Sequence, residues 1–229
     1  MKFKKIIANL VAVVCMASPM CVYADEQTAV AKSADGTIQY NDYDSAWAAA
    51  NSGTEIVMLQ DWDLSSRLVV NENQTVIVDM NGHKMDRNLS DSQMDGEVIY
   101  MNKKSNLTLK SSVNTKFTIK NYYSDGDGSN YRSKDVTIGG VITGGMSSDG
   151  AGGIHMKTGS KLTLDNVGII GNVAKTFSGS GGGIHTDGNG CIISGVRRKH
   201  DGTTRAFPRC LQRSAEVEYP LVEDTKRGR

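Results

Sequence analysis

The sequence predicts an all-β fold made of short strands stacked on one another, and three observations carry this. First, Gly152–Gly153–Ile154–His155 is followed, eight residues after Ile154, by Leu162–Thr163–Leu164; the unit recurs as Gly182–Gly183–Ile184–His185 before Cys191–Ile192–Ile193. Weaker copies run from Val98–Ile99–Tyr100 to Leu107–Thr108–Leu109, and from Leu68–Val69–Val70 to Val76–Ile77–Val78. The clearest copies are about 30 residues apart, a period typical of stacked repeats. Second, apolar and polar residues alternate within each short run, as in Leu162–Thr163–Leu164–Asp165, which is the period of a strand and not of a helix. Third, the 229 residues include 25 Gly and only 3 Pro, and Gly, Asn and Asp punctuate the runs. Gly and Asn tolerate the positive φ that sharp corners require.

No helical stretch of ten or more residues separates the strands. Short strands, inward aliphatics and Gly/Asn corners describe a parallel β-helix, whose coils stack about 4.8 Å apart so that equivalent side chains form ladders. The expected ladders are Val76/Leu107/Leu162 and Val78/Leu109/Leu164/Ile193, with one residue deleted in the last copy to bring Cys191 opposite Leu162. Val136–Val141 is expected to match Leu162–Val167. Five or six coils would span 54–196.

The elements before the repeat follow in order. Lys2, Lys4 and Lys5, then the apolar run Ile6–Met16, then Val22–Tyr23–Ala24 read as a secretory signal cleaved before Asp25. An uncleaved anchor fits less well, because the run is short and Pro19 breaks it. Residues 25–53 are expected to hold a flexible polar lead-in to Gly36 and a short helical cap. Asp42 or Asp44 would start that helix and Asn51 and Gly53 would end it, with Trp47 on its covering face. Strands are then expected at Glu55–Leu59, Leu68–Val70 and Val76–Met80, with a turn at Asn81–Gly82.

Four cysteines are present, and two fall within the signal. Cys191 and Cys210 do not make a disulfide framework, and Cys191 is expected to be a small buried hydrophobe. Charge is uneven. Residues 25–196 carry 20 acidic and 14 basic residues, whereas 197–229 carry 5 and 9. The acidic body and the lack of interleaved aromatics in the basic tail exclude nucleic acid as a partner.

Asp79–Met80–Asn81–Gly82–His83–Lys84–Met85 resembles the "DLNGHTL"-type segment of many secreted bacterial right-handed parallel β-helix proteins. Gly140–Val141–Ile142–Thr143–Gly144–Gly145, Gly152–Gly153–Ile154–His155 and Lys161–Leu162–Thr163–Leu164–Asp165–Asn166–Val167 resemble their "GVITGG", "GGGIYV" and "KLTLDNV" repeats. The resemblance to these pectate-lyase-like and adhesin-like repeats covers roughly 40–196. It implies right-handed coils and a secreted or cell-surface location, and it leaves function open. It stops at Val196, where Arg197–Arg198–Lys199–His200 begins. The expectation is a truncated repeat, with 197–229 either a sequence foreign to it, as after a frameshift, or a natural, poorly ordered basic tail.

His155 and His185 occupy equivalent repeat positions, and Tyr100 takes that position in the earlier copy. The three are the candidate binding residues. Two histidines without a third ligand or a carboxylate make an incomplete metal site, so a structural ladder is expected. Asp125–Gly126–Asp127–Gly128–Ser129–Asn130 starts like a calcium loop, with Asp125, Asp127 and Asn130 as candidate ligands, but the twelfth position is Val136 and not Glu. A polar corner insertion with at most weak calcium binding is expected, and no other cofactor. The resemblance implies that an enzyme on this fold would need carboxylates holding calcium beside a base, or paired acids. Asp79, Asp86, Asp165 and Asp187 are candidates, but no stacked acidic cluster emerges, so no catalytic residue is assigned.

The functional expectation is a non-catalytic, adhesin-like module that binds glycans or host proteins. The alternatives are a polysaccharide lyase or glycoside hydrolase, or a fragment without function of its own. An open last coil would favour self-association.

Overall fold

The structure, a computed structural model, describes residues 28–124, 129–175 and 182–195. The expected signal (1–24) and basic tail (197–229) lie outside them. The described residues are mostly β, with one helix among them, so the all-β class holds.

The described residues start with an unexpected hairpin. β1 (Ala31–Ser33) and β2 (Gln39–Tyr40) pair antiparallel, and β1 pairs antiparallel with β3 (Ile56–Met58). The supposed flexible lead-in is therefore structured, with Ala31 fully buried. Its three-residue strand is too short for its alternation to stand out in the sequence. Helix α1 (Tyr43–Asn51) follows. Asp42 is its N-cap: Ser45 N donates to Asp42 Oδ1 at 2.7 Å, which satisfies a free amide of the first turn. Trp47 Nε1 and Asn51 Nδ2 both donate to Val69 O, at 2.8 and 3.0 Å.

From β3 onward the chain visits three sheets in rotation. β3, β4 (Trp62–Asp63) and β5 (Leu68–Val70) make the first circuit. β6 (Thr75–Asp79), β7 (Lys84–Asp86) and β8 (Ile99–Met101) make the second. β9 (Asn106–Lys110) opens the third and leads into a long hairpin, β10 (Thr115–Ser124) and β11 (Ser129–Ile138), before β12 (Gly140–Thr143), β13 (Met146–Ser147) and β14 (Ile154–Lys157). β15 (Lys161–Asp165), β16 (Val167–Ile169), β17 (Val173–Ala174) and β18 (Ile184–Asp187) make the fourth, and β19 (Ile192–Ser194) follows. The first sheet reads β19-β15-β9-β6-β3-β1-β2, the second β16-β12-β7-β4 and the third β18-β14-β8-β5.

Two expectations on register fail. The first sheet pairs Val76, Leu107, Leu162 and Ile193 in one row, and Val78, Leu109 and Leu164 in the other. Ile193 thus belongs opposite Leu162. The last copy has an extra residue, not a deleted one, because Gly188 and Gly190 lengthen its corner at positive φ. Cys191 lies beside Ser160 instead, buried, with its Sγ donating to Lys157 O at 3.3 Å. Second, Val136–Ile138 is no copy of Leu162–Leu164. It belongs to β11, which pairs antiparallel with β10 over ten residues. The hairpin has its own small core of Phe117, Ile119 and Val141. These antiparallel pairs make the architecture more than a plain stack of repeats, and the first sheet is mixed.

The main core is one cluster inside the three sheets. Val76, Val78, Leu109, Ile99, Ile154 and Leu162 are fully buried, each worth about 1.5–3 kcal/mol. Corner asparagines add a second tie between circuits. Asn81, Asn166 and Asn172 donate from Nδ2 to Met58 O, Ser111 O and Ile142 O at 2.9–3.0 Å, each reaching the preceding circuit. Asn81 and Asn166 have φ of 46° and 58°, in the left-handed region that asparagine tolerates. Gly82 follows Asn81 at φ 81°, and a Cβ there would stand 2.4 Å from Thr115 Oγ1. The Asn81–Gly82 turn therefore fits its site on two counts.

Candidate functional site

The third sheet positions the site. Its register places Leu68, Ile99, Ile154 and Ile184 in one row, and Val69, Tyr100, His155 and His185 in the next. Neighbours along a strand point to opposite faces. The first row packs into the core, so the second lies on the outer face. The paired glycines preceding Ile154 and Ile184 let these strands close up. Gly153 N donates to Gly182 O at 2.9 Å and Ile154 N to Gly183 O at 2.8 Å.

The expected ladder of rings forms. Tyr100 and His155 have centroids 5.2 Å apart at 71°, and His155 and His185 are 5.0 Å apart at 72°. Both contacts are edge-to-face, a geometry that aromatic rings favour. Arg67 lies over Tyr100, with its guanidinium carbon 4.5 Å from the ring centroid. It also pairs with Glu97 at 2.6 Å and Asp95 at 2.8 Å.

The residue that completes the row is Asp187, which the sequence offered as a candidate acid but not as a partner of the histidines. Asp187 lies two positions after His185 on β18, on the same face and opposite Lys157 of β14. Asp187 Oδ2 accepts from His155 Nε2 at 2.9 Å, Asp187 Oδ1 accepts from His185 Nε2 at 2.8 Å, and Lys157 Nζ also donates to Oδ2. An ionised carboxylate only accepts, so each histidine carries its proton on Nε2. Burial works to raise the Asp187 pKa, but the hydrogen bonds from Lys157, His155 and His185 outweigh it and hold the carboxyl well below its usual range. His155 is buried, and that burial pushes its pKa down despite Asp187; the charges of Lys157 and His185 add to the lowering. The signal available in the sequence was the His-x-Asp spacing, which puts both side chains on one face of a strand.

His155, His185 and Asp187 form a group in which one ligand atom from each lies within 4.8 Å of the others. The histidine pair therefore does have its carboxylate. Asp125 and Asp127 lie outside the described residues, and Asn130 falls in β11 opposite Tyr123. Of the other acids, Asp86 pairs with Lys84 at 2.8 Å on the second sheet, Asp79 accepts from Asn81 N, and Asp165 sits opposite Lys110. They do not converge with Asp187. A groove of about 830 Å³ runs along the second sheet, lined among others by Lys84, Asp86, Arg87, Lys120 and Thr143. It shares no lining residue with the ring row. No helix among the described residues is long and apolar enough to cross a membrane.

Comparison with known proteins finds no matching family, no matching curated protein and no matching solved structure.

Proposed function

We propose that the chain is a secreted or cell-surface module of right-handed parallel β-helix type, with α1 as its cap, and that it binds glycans or host proteins without transforming them. The cyclic order in which the chain from β3 onward visits the three sheets, and the docking of α1 on Val69 O, support the architecture. One observation carries the binding reading: the outward row Tyr100–His155–His185, with Arg67 over one end and Lys157 alongside. The half-buried Tyr100 and His185 flank the buried His155, and with Arg67 and Lys157 they present ring edges and cationic groups suited to contacting sugar rings and their hydroxyls. Asp187 accepts from three donors at once, so it is poorly placed to take a proton from a substrate.

The second reading is a polysaccharide lyase or glycoside hydrolase. It is favoured by the convergence of Asp187 with Lys157, His155 and His185 on one face. Weighing against it, the cluster joins one carboxylate to cations and rings, and not to a second acid.

The test is a panel of plant and host polysaccharides and surface proteins applied to purified chain 25–229, read for retention and for release of reducing or unsaturated ends, with and without calcium. Retention without release, weakened at least fivefold in Tyr100→Ala, is the expected result. Release of products would replace this reading with the enzymatic one. Absence of both, with self-association through the edge of β19, would support a fragment without function of its own.

A further inference from the structure

The geometry points to a divalent transition-metal site formed by His155, His185 and Asp187. This assignment does not depend on the glycan-binding reading. Two imidazole nitrogens and one carboxylate oxygen already lie within 4.8 Å of one another, and the Nε2 atoms of His155 and His185 stand 2.9 and 2.8 Å from the Asp187 carboxylate oxygens. Tetrahedral zinc holds N and O ligands at about 2.0–2.2 Å, which separates neighbouring ligand atoms by roughly 3.3–3.5 Å. A small opening of the present hydrogen bonds is enough to admit the ion. Imidazole with one carboxylate suits zinc, nickel or copper, whereas calcium and magnesium want oxygen ligands. Three protein ligands on an outward row leave the remaining coordination position to water or a bound group.

The backbone fixes the set without help from the ion. His155 and His185 are register partners, and Asp187 follows His185 at i+2. His185 Nδ1 is buried without a partner among the described residues. This ring nitrogen is left out of the hydrogen-bond network, and it can take the proton when Nε2 turns to a metal. The exchange balances: on each histidine the Nε2 proton moves to Nδ1, the freed lone pair binds the ion, and no proton is lost. Lys157 leaves Asp187 Oδ2 with its ammonium charge and turns to solvent or to the Tyr100 ring, 5.5 Å away. Lys157 is therefore the competitor for the site, and its removal opens it.

The experiment is calorimetric titration of the full chain with Zn²⁺ at pH 7.5, alongside Co²⁺ absorption spectra that report nitrogen and oxygen ligation. Zinc is expected to bind, with Ca²⁺ leaving the isotherm unchanged. His185→Ala and Asp187→Asn should each weaken binding at least tenfold while the far-ultraviolet circular dichroism is kept. Lys157→Met should strengthen it severalfold. Zinc binding that survives both His185→Ala and Asp187→Asn comes from elsewhere in the chain and overturns the assignment. Absence of binding in Lys157→Met, where the competing cation is gone, overturns it as well.

Discussion

His155 Nε2 and Asp187 Oδ2 stand 2.9 Å apart across neighbouring strands, and the burial of that histidine makes the fold sensitive to mild acid. His155 is pushed below its ordinary value by burial, and by Lys157 and His185 beyond what Asp187 restores. A group with a lowered folded pKa binds fewer protons folded than unfolded, so stability rises with pH through that window. His155 thus contributes fully above about pH 6.5, its unfolded value, and the contribution is lost as pH falls through the folded value. Asp187 follows the same sign further down: its contribution is lost only below about pH 4, the unfolded carboxylate range. The melting temperature is expected to fall between pH 7 and 5. His155→Phe, which keeps a ring beside Tyr100, should flatten the profile there. An unchanged slope in that variant would remove His155 from the account.

Gly153 and Gly183 occupy the same place in two repeats but differ in surroundings. A Cβ on Gly153 would stand 2.3 Å from the backbone oxygen of Gly183, whereas a Cβ on Gly183 meets nothing closer than Ile169 Cγ2 at 3.9 Å. The difference arises because Gly153 faces the segment that leads into the next strand, whereas Gly183 leads into β18, the last described strand of its sheet. Gly153→Ala should cost about 2 kcal/mol, in the range of overpacking. Gly183→Ala should lie near zero or slightly stabilise, through the loss of unfolded-state freedom. Urea denaturation of the two variants checks the contrast, and equal costs would count against it.

Much of this architecture was legible because the repeat acts through spacing. The runs Leu68–Val70, Ile99–Met101 and Ile154–Met156 align in register as their residues suggest, and Asp42 caps α1 where a capping residue was expected. Two kinds of structure escaped. The β10–β11 hairpin interrupts the repeat with polar-rich strands, and Phe117 and Ile119 are too few to outweigh the apparent match of Val136–Val141 to the repeat. The last copy defeated register counting because its corner is one residue longer, and glycine corners vary in length without marking it in the apolar pattern. At the site, the stacking of Tyr100, His155 and His185 followed from their repeat positions. Asp187 did not, because its equivalents along the sheet are Lys157 and not another acid. A cross-strand charge pair leaves no periodic trace.

Leu107 lies in the middle of the row Val76–Leu107–Leu162–Ile193, covered by a neighbour on each side. Ile193 is at the end of that row among the described residues and is slightly more exposed, at 6% against 1%. Truncating Leu107 to Ala leaves a cavity that two flanking strands prevent from collapsing, with an expected cost of about 3–4 kcal/mol. Ile193→Ala should cost about 2 kcal/mol, since one side of its site is free to relax. Chemical denaturation of both variants measures the difference, and a larger loss at Ile193 would show the row to be stabilised from its far end.

Arg67 joins two acids of very different exposure, and the exposures decide which pair matters. Glu97 is 1% exposed and 2.6 Å from Nη1, whereas Asp95 is 71% exposed at 2.8 Å. A solvent-exposed ion pair is worth about 0–1 kcal/mol, so Asp95→Ala should scarcely change stability. Arg67→Met removes the guanidinium that lies over Tyr100 and leaves a buried carboxylate, whose Oε2 already lacks a partner, with only the charge of nearby Arg87 to offset it. Breaking one side of such a pair costs about 3 kcal/mol. Adding Glu97→Gln should then recover more than half of the loss, because the stranded group no longer carries charge. A double-mutant cycle in urea gives the answer directly. No recovery in the double variant would mean that Arg67 stabilises through its packing on Tyr100 and not through Glu97.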